Sequence, residues 1–146
     1  MKSNLQIKPT ADLDKLLSEV GSISQLENYL QSNMIPEFSS IAEYLNYMLH
    51  EKKLTKSDVI KESDIDRVFA YQIFSGIKKP GRDKLLMLCI AMKLDLSETS
   101  RALAIAGHGK LYSKNTKDAV IIYAINSKLN IQNTKDLLYE FGDELE

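Results

Sequence analysis

An all-α fold is expected from three features of the sequence. Apolar residues recur at helical spacing in one segment after another. Only three prolines and six glycines interrupt 146 residues, and no stretch alternates apolar and polar side chains as a half-buried strand would. With 44% hydrophobic residues the chain can bury an ordinary core, so neither disulfide nor metal is needed for stability.

The first nine residues are polar and end in Pro9, a lead-in. Thr10 is expected to cap a helix carrying Leu13, Leu16, Leu17 and Val20 at i, i+3, i+4 and i+7, stopped by Gly21. Ser22 or Ser24 caps a second, with Leu26, Tyr29 and Leu30 on its apolar side. Asn33 to Phe38 contains Pro36 and reads as a connector. Ser39 or Ser40 opens a helix to about Glu51, with Ile41, Tyr44, Leu45, Met48 and Leu49 buried. Thr55 caps a two-turn helix whose Val59 and Ile60 face inward, with Asp58 in its first turn; Ser63, Asp64 and Ile65 form a link; Asp66 caps a helix from Arg67 to about Ser75; Gly76 stops it.

Farther along, Asp83 to Leu94 places Leu85, Leu86, Leu88, Cys89 and Met92 on one stripe. Ser97, Thr99 and Ser100 start a helix from Glu98 to Ala106 that ends at Gly107. A flexible linker, GHGKLYSKN, leads to Thr116–Lys128, apolar on nearly all sides and in need of wide cover. Thr134 caps a last helix whose Leu137, Leu138 and Phe141 supply part of that cover, ahead of an acidic end. The expected organisation is an N-terminal helical extension over 1–36, a central domain over 37–107, and a C-terminal helical pair over 108–146 packed on it.

The segment Leu54 to Lys84, LTKSDVIKESDIDRVFAYQIFSGIKKPGRDK, carries the functional signal, a helix, a tight turn and a second helix. At 100° per residue Ala70, Ile73, Phe74 and, just beyond, Ile77 share one side and are expected in the core. Phe69 lies between the faces and is assigned to the core. The opposite side carries Arg67, Val68, Tyr71, Gln72 and Ser75, the residue types that read base edges in a major groove. Lys78, Lys79 and Arg82 follow in a basic loop suited to phosphates. Thr55, Lys56 and Ser57 sit at a helix N-terminus, where amides and charge hold phosphate.

This segment resembles the Cro/repressor (XRE) class of helix-turn-helix domains. The resemblance rests on Leu54-Thr55 opening the first helix of the motif, Ile65 before the second, Ile73 within it, Gly76 closing it, and Lys79-Pro80 with the following apolar helix. It spans Ser39 to about Gly107, roughly half the chain. It implies a five-helix domain with double-stranded DNA as partner; the helices before and after it are N- and C-terminal extensions, and Arg67 and Gln72 are the expected base contacts because a guanidinium pairs with guanine and an amide with adenine. Two positions depart from the family pattern: Lys56 stands where Gln is usual and Phe74 where Glu is frequent.

The charge pattern agrees locally. Residues 1–49 carry three basic and six acidic side chains, 50–84 nine and six, 85–146 seven and eight, against a net charge of −1 for the whole. A surplus of three in the motif predicts weak, salt-sensitive binding that a homodimer would strengthen. The expected function is sequence-specific transcriptional regulation through a recognition helix at about 66–75. The alternative is a protein-interaction adaptor that keeps the fold without a DNA role. The acidic amphipathic N-terminal helices are candidates for a protein partner.

Catalysis and cofactors are not expected. GHGK at 107–110 lacks the spacing and the flanking strand of a phosphate loop. His50, His108 and Cys89 are too scattered for zinc, and Cys89 falls on an apolar stripe that opposes an activated thiol. Asp64 and Asp66 suit a turn and a cap better than acid-base work. No apolar run approaches the roughly 20 residues of a membrane span, no signal-peptide pattern opens the sequence and the lone cysteine forms no internal disulfide, so a cytoplasmic protein is expected.

Overall fold

The computed structural model describes residues 10–33 and 37–146, and among them it contains nine α-helices and no strand. The lead-in expected at 1–9 and the middle of the connector, 34–36, lie outside the described residues. The chain divides into two compact units, 1–37 and 38–146.

The first unit is a helical hairpin of α1 (Thr10–Ser18) and α2 (Ile23–Asn33). Ser22 accepts a hydrogen bond from the Gln25 amide at 3.1 Å while the Gln25 side chain accepts from the Gly21 amide at 2.7 Å, so each satisfies an orphan donor at the start of α2. None of the side chains described between Ala11 and Leu30 is buried.

The second unit holds α3 (Ile41–Glu51), α4 (Lys56–Ser63), α5 (Arg67–Ser75), α6 (Arg82–Ala91), α7 (Leu96–Ile105), α8 (Thr116–Asn126) and α9 (Ile131–Glu140). Its axis is α6, where six consecutive residues, Leu85 to Ile90, are buried. The sequence suggested a single stripe, but α4, α7 and α9 all pack on α6, so Met87 and Ile90 on its other sides are covered as well. Helix α3 packs on α5 and α7, and α8 is held between α7 and α9.

The α4–α5 corner is built by local chemistry. Thr55 caps α4 by accepting from the Asp58 amide. Ser63, expected in the link, is instead the fully buried last residue of α4; its hydroxyl donates to the Ile60 carbonyl at 2.7 Å and accepts from the Ile65 amide at 3.3 Å, folding the chain back. Asp64 takes the left-handed conformation, φ 59°, that turns the corner, and Asp66 caps α5 by accepting from the Phe69 amide at 3.0 Å. Gly76 ends α5 at φ 84°, with its amide donating to Ile73 and that of Ile77 donating to Gln72. A Cβ there would meet nothing closer than Ala42 at 3.8 Å, so conformation rather than crowding requires glycine.

Several expected details are corrected. Helix α7 is capped by Asp95, in a reciprocal box with Glu98, rather than by Ser97, Thr99 or Ser100; Thr99 is buried. Asn130 caps α9, and Thr134 lies inside it, buried, with its hydroxyl donating to the Asn130 carbonyl. Ile77 is 70% exposed because the chain leaves the helix at Gly76 and the 3.6-residue period no longer applies. Phe69 is half-buried, packed against the core rather than enclosed in it. Phe141 is exposed and covers little; Leu138 and Ile131 do that work. The GHGKLYSKN segment is pinned, with Leu111 buried and His108 Nε2 3.0 Å from the Pro80 carbonyl.

Candidate functional site

Helix α5 buries Ala70, Ile73 and Phe74 and turns its other face outward. On that outer face Lys56, Arg67, Val68, Tyr71, Gln72, Ser75 and Ile77 border one shallow, open depression of about 470 Å³. The helix is fixed from behind by Asn46 of α3, whose side-chain amide donates to the Phe74 carbonyl and to Ala42 in its own helix, each at 2.8 Å. Asn46 was not singled out from the sequence; a carboxamide beside an apolar stripe is the signal that marks it.

Two cations lie over aromatic rings. The Arg67 guanidinium stands 5.6 Å from the centre of the Tyr71 ring, one turn along α5. The Lys56 ammonium, from the first turn of α4, stands 5.6 Å from the Phe74 ring. The two departures from the repressor pattern therefore face each other. Ser75 donates its hydroxyl to the Gln72 carbonyl at 3.1 Å, and Thr55 uses its oxygen as the α4 cap. Ser57 is exposed at the same helix start. Lys78 and Lys79 are exposed in the loop after α5. Among the described residues, Lys56, Arg67, Lys78 and Lys79 pair with no carboxylate.

Arg82 is placed differently from its expected role on phosphate. Its guanidinium makes a two-pronged pair with Asp118 of α8, at 3.0 and 2.9 Å, and donates to the carbonyls of Gly109 and Lys110. These bonds consume most of its donors, and the hydrogen bond and charge of Asp118 raise its pKa despite burial. Sequence could not reveal this, because the partner lies 36 residues along the chain.

Arg82 belongs instead to a set of ties between the start of α6 and α8. Burial pushes the Asp118 carboxyl up, but hydrogen bonds from Arg82 and the Tyr112 amide, with the Arg82 and Lys117 charges, outweigh it and leave the pKa below the usual carboxylate range. Asp83 behaves likewise: burial is overcome by the Glu146 amide and by Lys117 at 2.8 Å. Lys135 of α9 donates to Asp64 at the α4–α5 corner and lowers its pKa. The C-terminal helices thus grip both the corner before α5 and the helix start beyond the lysine loop.

Elsewhere, among the described residues, no group of three or more His, Cys, Asp or Glu side chains is arranged to hold a metal ion. Cys89 is fully enclosed, and burial pushes its thiol up to about 12. No described helix is long and apolar enough to cross a membrane. A second depression, about 340 Å³, lies between α8 and α9 against Ala119, Val120, Tyr123, Leu137 and Phe141. No family model, no curated protein and no solved structure matches this chain.

Proposed function

We propose that this chain is a sequence-specific DNA-binding transcriptional regulator of the Cro/repressor-like helix-turn-helix kind, with α3 to α7 as its DNA-binding domain and α5 in the major groove. The observation that carries this reading is the outer face of α5, where cations without carboxylate partners, an amide and exposed apolar groups border one open depression. Arg67 and Gln72 are the hydrogen-bonding readers, suited to guanine and adenine edges. Thr55, Lys56 and Ser57 at the start of α4 hold one phosphate, and Lys78 and Lys79 hold another stretch of backbone. Tyr71 and Ser75 support the face, Val68 contributes apolar contact, and Arg82 acts from within the fold. A homodimer on a two-fold site would set its two α5 helices roughly 34 Å apart.

The test is a salt titration of the full chain on random duplex and on its own promoter, followed by fluorescence anisotropy. With Lys56, Lys78 and Lys79 on phosphate, log K should fall against log salt with a slope of about −2.7 per monomer. Lys78→Ala should weaken every sequence and flatten the slope by about 0.9, whereas Arg67→Ala should cost roughly 1–3 kcal/mol on the preferred sequence alone. Absence of binding at low salt would overturn the proposal.

A protein-interaction adaptor is the second reading, favoured by Val68 and Ile77, which stand 65% and 70% exposed on the same face. It requires a protein partner that Val68→Ala releases and no duplex affinity at low salt.

A further inference from the structure

Resting on the DNA reading, we infer that the α5 depression selects thymine, with C5 methyl groups seated against Val68 and Ile77. Five of the seven residues around this depression carry hydrogen-bonding groups, and three of the five are partly committed. Ser75 donates to the Gln72 carbonyl, Lys56 lies over Phe74, and Arg67 lies over Tyr71. What stands out from the surface instead is apolar: Val68 near the start of α5 and Ile77 just past its end, with Tyr71 between them on the same rim.

An apolar centre bordered by Lys56 and Arg67, with Lys78 and Lys79 next along the chain after Ile77, is complementary to a polyanion that projects apolar groups from a groove. In duplex DNA the major-groove edge that does so is thymine, whose methyl is the one apolar group among the four bases. An acidic amphipathic helix also combines negative charge with apolar side chains. Such a partner anchors on large residues inserted into well-formed pockets, and this depression is shallow and open. Small methyl groups against the flanks of Val68 and Ile77 fit it better.

The experiment begins with selection of bound sequences from a random duplex pool by the full chain. Each thymine of the enriched sequence is then replaced singly by deoxyuridine, which keeps pairing and removes only the methyl. Loss of affinity by about fourfold per contacted methyl is expected, the equivalent of one buried carbon. Val68→Ala and Ile77→Ala should each abolish the deoxyuridine sensitivity of a different thymine while leaving the salt slope unchanged. Both side chains are exposed, so both variants should keep the parent urea midpoint.

Specific binding that tolerates deoxyuridine at every position overturns the thymine inference and leaves the DNA reading standing. Failure to retain any duplex at low salt overturns both. Capture of a Glu/Leu amphipathic helical peptide in place of duplex, lost in Val68→Ala, overturns both and assigns the face to a protein partner.

Discussion

Lys56 and Phe74 show how two neighbouring exceptions compensate each other. Each departs from the pattern that the Leu54–Lys84 segment resembles, and the ammonium of one sits over the ring of the other. A double-mutant cycle with Lys56→Ala and Phe74→Leu should give a coupling of about 0.5–1 kcal/mol in urea unfolding, the size of a partly exposed cation–π contact. Additive losses would mean that the two pack independently. Cys89 gives a second prediction. Its thiol is enclosed and pushed up to about 12, so thiolate is scarce at pH 8. Iodoacetamide should leave the native protein unmodified over hours and label it on unfolding in urea. Rapid native labelling would show that α6 opens locally. Residues differ in how far sequence reveals them. The outer face of α5 follows from helical period alone, because Arg67, Val68, Tyr71, Gln72 and Ser75 project from one continuous helix. Ile77 escapes that period because it lies past Gly76, and Arg82 escapes it because its destination is set by Asp118 on another helix.

Helices are legible where their ends are marked locally. Thr55, Asp66 and Gly76 bound α4 and α5 as their types suggest, since each cap acts within three or four residues. The misplaced starts of α7 and α9 share one cause. Several Ser, Thr, Asp and Asn residues are clustered there, and the residue that caps is the one preceding the first buried turn, Asp95 or Asn130. What sequence leaves silent is the lateral tie between elements. Asp118 and Asp83 join α8 to α6, and both carboxyls are held below their ordinary pKa. A depressed folded-state pKa contributes stability that is complete above the ordinary carboxylate value near 4 and is lost as pH falls through the lower folded value. The urea midpoint should therefore be flat from about pH 7 to 5 and decline below about pH 4. Asp118→Asn should lower stability by about 2 kcal/mol at pH 7 and shrink the acid decline. An unchanged midpoint would mean that the Arg82–Asp118 pair contributes no net stability.

The whole molecule separates into two compact units of unequal burial. Among the described residues every core side chain lies in 38–146, whereas the side chains of the α1–α2 hairpin all remain at least partly exposed. A hairpin of that size does not bury enough apolar surface to stand alone. A fragment of residues 38–146 should therefore unfold cooperatively, with a urea midpoint close to that of the full chain. The division also changes the electrostatics. Residues 1–37 hold three basic and five acidic side chains, so their removal takes the net charge from −1 to +1. If α5 docks on DNA, the fragment should bind duplex more tightly than the full chain at 50 mM salt, by about twofold to fivefold. The difference should vanish near 0.5 M, where the screening length is short. The free cations of α4, α5 and the lysine loop are common to both proteins, so the salt slopes should otherwise agree. Weaker binding by the fragment at every salt concentration would instead make the hairpin part of the DNA-binding assembly, through a direct contact or through pairing of two copies. Sedimentation of both proteins at the same concentrations distinguishes these two roles, because only pairing raises the mass of the full chain above that of a monomer.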